Sequence, residues 1–205
     1  MSLPSTAADL AAAVQILGER IRSALQGQPV VIVGITGPVG SGKSTLADRL
    51  CALSGDAVVL STDNYLPDYA HVEPHERDMP EHADLARLHS DLTSLRSGRS
   101  TSVPVWSFHT HRREGEKVVN PAPLVVCEGI HALGEIPARA LDLKVYVDAP
   151  RAVRWGRWEE IEQRGLRGFG VERARAHFDT VAEPTFDRCA HRYRAIADLV
   201  VLNHG

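Results

Sequence analysis

Apolar residues recur along the chain with two different periods. Between Thr6 and Gln26, Leu10, Val14, Leu17, Ile21 and Leu25 fall three and four apart, which predicts a helix with one buried stripe. Thr6 with Asp9 predicts a capping pair at its start. The period then breaks. Val30–Ile35 is a short β-branched run, the pattern of a parallel strand buried on both faces. Similar short runs follow at Ala57–Leu60, in "PLVVCEGI", in "LDLKVYVDA" and in "ADLVVLN". Helical patterns separate them: "KSTLADRLCAL", then "HADLARLHSDLTSLRSG" with Leu85, Leu88, Leu92 and Leu95 on one face, then about Arg151–Arg164 and Val171–Arg192. "STSVPVWSFH" and "GEKVVNP" read as two extended pieces around a loop, a small antiparallel flap.

Strands alternating with helices predict an α/β fold, a parallel sheet with helices on both faces. The 205 residues suit one domain spanning 1–205: an N-terminal helix over 1–28, a β flap over 99–121 and a lid over 151–170. No repeat or linker interrupts it. Ligands in such sheets sit outside the carboxyl ends of the strands, so the loops after Ile35, Leu60 and Cys127 are the ones to read.

The first of these carries the most specific signal in the chain. Gly37, Gly42, Lys43 and Ser44 match G-x-x-x-x-G-K-[ST] between a strand and a helix. In that context Gly37, Pro38, Val39, Gly40, Ser41, Gly42, Lys43, Ser44 and Thr45 are expected to form a P-loop that wraps the phosphates of a nucleotide, at a helix N-terminus that favours anions. Lys43 would reach the terminal phosphates and Ser44 would ligate Mg²⁺. Two carboxylates stand at strand ends. Asp63 sits just past the second strand and Glu128 just past the third. Phosphoryl transfer to an alcohol needs a group that takes or orients the hydroxyl proton and ions that neutralise charge. Asp63 suits the first role and Glu128 the second, as a ligand of the metal or of its water. A turn cap is the plain alternative for Asp63, because Asp-Asn is a common turn pair.

Charge narrows the partners. With 23 Lys and Arg against 26 Asp and Glu the net charge is -3, which argues against a nucleic-acid binder. Lysine occurs only at 43, 117 and 144, so Lys43 stands out. Cys51, Cys127 and Cys189 are too scattered for a disulfide framework or a zinc knuckle. Charges interrupt the N-terminal stretch, and no apolar run nears the ~20 residues of a membrane span. A soluble, cytoplasmic protein is expected, without membrane contact. Of the seven arginines between Arg151 and Arg175, Arg154, Arg157, Arg164 and Arg167 are candidates for stabilising transferring phosphoryl charge, whereas Arg173 and Arg175 read as surface ion-pair partners. The glycines of "RGLRGFG" suit a moving lid. His109, His111, Arg112 and Arg113 make a thin metal site and a better acceptor site.

Taken in order, the P-loop, "STDNY", "RDMPEHAD", "VPVWSFHTHRR", "VVCEGIHAL", "VYVDAP", the Arg-rich helix and "ADLVVLNHG" resemble the uridine kinase family, within the group that includes phosphoribulokinase and bacterial pantothenate kinase. The resemblance covers the chain from about Val30 onward. It implies a P-loop kinase with an acceptor-binding flap and an Arg-rich lid, using ATP and Mg²⁺ on a nucleoside and forming homo-oligomers in many members. It implies that Asp63 is the catalytic aspartate and that Asp78 holds the ribose. Trp106, Phe108, His111 and Arg113 would form the base pocket, with Tyr65 of the "STDNY" stretch beside the acceptor. Glu128 would lie by the metal. Arg154 and Arg157 would begin the lid, and Arg164 with Arg167 would close it over ATP. Trp106 and Ser107 replace the family's Tyr-Asp, Arg77 replaces a phenylalanine and Trp158 an aspartate. A kinase for another hydroxylated metabolite (a sugar, a pantothenate-like acid or a vitamin precursor) is the second reading. A regulatory NTPase acting on a protein is the third, and a degenerate kinase that only binds ligand is the weakest.

Overall fold

The computed structural model describes residues 6–204. The chain runs through β1 (Thr6–Ala8), α1 (Leu10–Ala24), β2 (Val31–Thr36), α2 (Lys43–Ser54), β3 (Ala57–Ser61) and a loop of short 3-10 turns to α3 (Leu85–Arg96). A hairpin of β4 (Thr101–Ser107) and β5 (Arg112–Val119) follows, then β6 (Leu124–Glu128) and β7 (Leu143–Asp148). The C-terminal part holds α4 (Arg151–Gln163), α5 (Val171–His177), a π-helical turn (Phe178–Ala182), α6 (Glu183–Ile196) and β8 (Leu199–Leu202).

Six strands form one sheet in the order β1-β8-β7-β2-β6-β3, every pair parallel. Alternate side chains of each strand supply opposite cores, as the pleat requires. Val31, Val33 and Ile35 join Leu17 and Ile21 of α1 and Leu46 and Leu50 of α2 on one face. Ile32, Val125, Cys127 and Val200 meet Leu88 and Leu92 of α3 and Phe186 and Tyr193 of α6 on the other. β4 and β5 pair antiparallel as a separate two-stranded sheet, with an irregularity between Val105 and Trp106.

One element departs from expectation. The first helix begins at Leu10, and Thr6–Ala8 instead extend the sheet edge beside β8. The cap is Asp9 alone, whose carboxylate accepts from the Ala12 N–H at 2.8 Å. The backbone of Thr6 pairs with Leu199 in the β ladder, three residues before the cap. Among the described residues no helix is long and apolar enough to cross a membrane.

Candidate active site

The central strand β2 lies between β6 and β7, so the loop at its carboxyl end opens between neighbours that lead in opposite directions along the sheet. That is where α/β folds build ligand sites. Backbone shape dictates the glycines here. Gly42 sits at φ 99°, and a Cβ on it would fall 2.2 Å from Asn203 Nδ2. Gly40 sits at φ 73°, with the Arg154 carbonyl 2.4 Å from where its Cβ would be. Only glycine admits both the conformation and the neighbours.

Lys43 opens α2 and is buried. Its ammonium donates to the Pro38 carbonyl at 3.0 Å, folding back over the loop. Burial draws its pKa down to about 8, although Glu128 and Asp63 pull it upward. Ser44 donates to Glu128 Oε2 at 3.1 Å. The Ser41 hydroxyl is buried without a partner. A cradle that only glycine can line, a buried ammonium, an orphan hydroxyl and a Ser–Glu pair of hard oxygens together fit a nucleotide's phosphates with a divalent cation.

β3 and β6 are in register at Ser61 and Glu128, so Asp63, two residues beyond, comes close to Glu128. The turn at Thr62–Tyr65 is capped by Ser61, whose hydroxyl accepts from the Asp63 N–H at 3.4 Å. The Asp63 side chain is left free of that capping role. Burial raises its pKa to about 6, Glu128 adds to the rise, and Arg167 and Lys43 oppose it.

Two cavities meet at Asp63. One, of about 440 Å³, is lined by Val39, Gly42, Lys43, Ser44, Thr45, Glu128, Arg157, Arg164 and Arg167. The other, of about 60 Å³, is walled by Tyr69, Trp106, Phe108, Trp158 and Phe169, with Asp78 and His177 among them. Asp63 and Arg167 line both. The Trp106 indole N–H donates to the Pro67 carbonyl at 3.1 Å, which fixes its ring in the wall. His111, at φ 53°, is stacked on Tyr69 at 5.4 Å and lies 4.5 Å from Phe169. Arg167 lies over the Phe108 ring at 4.5 Å. The turn after α4 is tied down by Glu162, which accepts from the Trp158 indole at 3.1 Å and the Gly170 N–H at 3.0 Å.

Four expected acceptor or lid residues line neither cavity: His111, packed against Tyr69 and Phe169, and three whose polar groups are engaged elsewhere. Tyr65 is fully buried and its hydroxyl donates to Asp91 at 2.9 Å, so it belongs to the core beneath the loop that follows β3. Arg113 lines neither cavity; it donates to the carbonyls of Leu66 and Tyr65, bracing that loop from outside. Arg154 is buried in an ion pair with Glu183, one contact being 2.7 Å, and donates to the Ala149 carbonyl at 2.9 Å. Its guanidinium is spent on structure and holds the P-loop from behind. Arg157, by contrast, donates to the Gly40 and Ser41 carbonyls and to Asn203 while lining the larger cavity.

Sequence reasoning passed over Asn203, Phe169, Tyr69 and His177. Asn203 was within reach, because it follows a strand end as Asp63 does; it donates to the Ser41 carbonyl at 2.8 Å and packs on Gly42. No local signal marks the other three.

The model of the Phosphoribulokinase / Uridine kinase family matches residues 32–204. A uridine kinase of Clostridium perfringens is 31% identical over 184 residues, covering 85% of this chain and 88% of its own. One from Brevibacillus brevis is 36% identical over 150 residues, covering 68% and 70%. Among solved structures, a candidate fructose transport system kinase from Silicibacter sp. TM1040 superposes with a TM-score of 0.75 at 23% identity, covering 94% and 98% of the two chains. A possible uridine kinase from Bacillus stearothermophilus gives 0.69 at 17%, covering 94% and 98%. At those identities the likeness is one of fold. The family match spans every strand from β2 onward and the whole phosphate-binding apparatus, and by it this chain belongs to the phosphoribulokinase/uridine kinase family of P-loop kinases.

Proposed function

We propose that the protein transfers the terminal phosphoryl group of ATP, with Mg²⁺, to the primary alcohol of a small molecule, in the first instance a nucleoside 5′-hydroxyl. The observation that carries this reading is Asp63 as the shared wall of a phosphate-binding cavity and an aromatic one. A water-directed NTPase has no use for the second cavity. A kinase needs it within reach of the same carboxylate.

Asp63 takes or orients the acceptor's hydroxyl proton as its oxygen bonds to the γ-phosphorus, while the bond to the β-phosphate oxygen breaks and ADP leaves. Lys43 and Arg167 bear on the charge that spreads over the phosphoryl oxygens, with Arg157 and Arg164 beside them. Mg²⁺, held by Ser44 and by Glu128 directly or through water, supplies further neutralisation when bound. The aromatic wall and the tied-down turn exclude water, which suppresses hydrolysis. In the acceptor cavity Asp78 suits vicinal hydroxyls such as those of ribose, and Trp106 and Phe108 offer faces to a planar ring.

A second reading keeps the chemistry and changes the acceptor. The aromatic cavity is small, about 60 Å³. That favours a smaller hydroxylated metabolite. ADP release from Mg-ATP, measured against uridine, cytidine, other nucleosides, ribose, ribulose 5-phosphate and pantothenate, separates the two. Turnover only with pyrimidine nucleosides supports the first reading. Turnover only with a non-nucleoside supports the second, and hydrolysis indifferent to every acceptor overturns both.

A further inference from the structure

His177 ends α5, at the point where the helix widens into the π-turn Phe178–Ala182. A π-turn brings residues five apart onto one face, and His177 and Ala182 both line the acceptor cavity. The histidine is nearly buried, its side chain 9% exposed, and its Nε2 lies 3.2 Å from Asp78 Oδ2. The other oxygen of that carboxylate, Oδ1, accepts from the Tyr69 hydroxyl at 3.0 Å. A carboxylate only accepts, so the Nε2 that faces it carries the proton. Asp78 is thus gripped at both oxygens by the protein, and each oxygen keeps one lone pair for something else.

The far side of the His177 ring is occupied too. Phe169 stacks on it at 5.2 Å and Trp158 meets it edge-on at 6.1 Å. Phe169 belongs to the glycine-flanked turn after α4. The imidazole therefore sits between the Asp78 carboxylate and the Phe169 ring, and all three line the smaller cavity.

We propose that His177 is the positioning residue for Asp78: it turns the carboxylate so that its free lone pairs meet the hydroxyls of the acceptor, and its stack with Phe169 links that orientation to the covering turn. This rests on the kinase reading above. The acceptor class it favours carries a vicinal diol or comparable pair of hydroxyls beside the reacting alcohol, because two convergent lone pairs of one carboxylate recognise two O–H donors. Burial opposes ionisation of Asp78, yet the His177 and Tyr69 contacts hold its pKa below the ordinary carboxylate value, so it is an acceptor at neutral pH.

The test compares His177→Phe, which keeps the ring and removes the donor, with His177→Gln, which restores an N–H donor at similar reach. Each is assayed for ADP release with the best acceptor of the panel, alone and combined with Asp78→Asn. For His177→Phe the acceptor KM is expected to rise about tenfold or more, with kcat at saturating acceptor and the ATP KM moving less than about threefold. His177→Gln should recover most of the loss, and His177→Phe should add little in the Asp78→Asn background. An unchanged acceptor KM in His177→Phe overturns the proposal. So does a parallel rise in both KM values with a lowered Tm and no recovery by glutamine, the signature of a merely structural contact. If the wild-type protein turns over no acceptor, the kinase reading falls and takes the positioning role with it. Normal wild-type turnover with a null variant effect sinks the positioning role alone.

Discussion

The Ser44 hydroxyl donates to the Glu128 carboxylate at 3.1 Å, joining the first turn of α2 to the last residue of β6. A hard cation placed there would find two oxygens already converged. Glu128→Gln keeps an oxygen acceptor and removes the charge. The Mg²⁺ concentration for half-maximal activity is expected to rise about 10–100-fold, read from magnesium titrations of ADP release, with the unfolding midpoint nearly unchanged.

Asp63 faces both cavities, and its amide analogue keeps the shape without the ability to take a proton. Asp63→Asn should lower kcat about 10²–10⁴-fold while binding of an ATP analogue, followed by calorimetry, stays within a few-fold. Near wild-type turnover in this variant would remove Asp63 from the mechanism.

Arg154 and Glu183 form a buried pair, their side chains 9% and 12% exposed. Breaking such a pair strands a charge. Arg154→Met should cost about 3–5 kcal/mol in urea unfolding, whereas Arg157→Met, which removes a residue that lines the cavity, should act mainly on activity. Equal stability losses in the two variants would contradict the division between brace and site.

His131 is almost wholly buried, 2% exposed. Burial pushes its pKa down to about 4, against a partial upward pull from Asp78 and Glu81. An unfolded histidine titrates near ~6.5. Between those values the unfolded chain binds a proton that the folded one refuses, so stability present above pH ~6.5 is lost as the pH falls towards 4. The slope reaches about 1.4 kcal/mol per pH unit for this one group. In His131→Leu, the difference in unfolding free energy between pH 7 and pH 5 should shrink by about 2 kcal/mol.

The central strands, the P-loop and the Ser44, Asp63 and Glu128 positions were legible because local constraints write them. A loop that wraps phosphate needs glycine at Gly42, and a strand buried on both faces must be apolar throughout. What stayed hidden depends on partners distant in the chain. Tyr65 neighbours Asp63 in sequence, yet its direction is set by Asp91, 26 residues on. Arg154 resembles a lid arginine until Glu183 is placed beside it. β1 is only Thr-Ala-Ala, with no strand pattern of its own; its pairing comes from the free edge of β8. His177 acquires meaning only through the π-turn and Asp78, 99 residues away.

Asn203 fills the space behind Gly42, accepts from Arg157 and donates to the Ser41 carbonyl. The phosphate loop is written before residue 45, but its final brace comes 162 residues after Ser41. During synthesis on the ribosome the loop therefore emerges long before the residue that locks it. The nascent chain can carry the whole glycine-rich signature and still lack a finished nucleotide site until β8 has left the exit tunnel and docked.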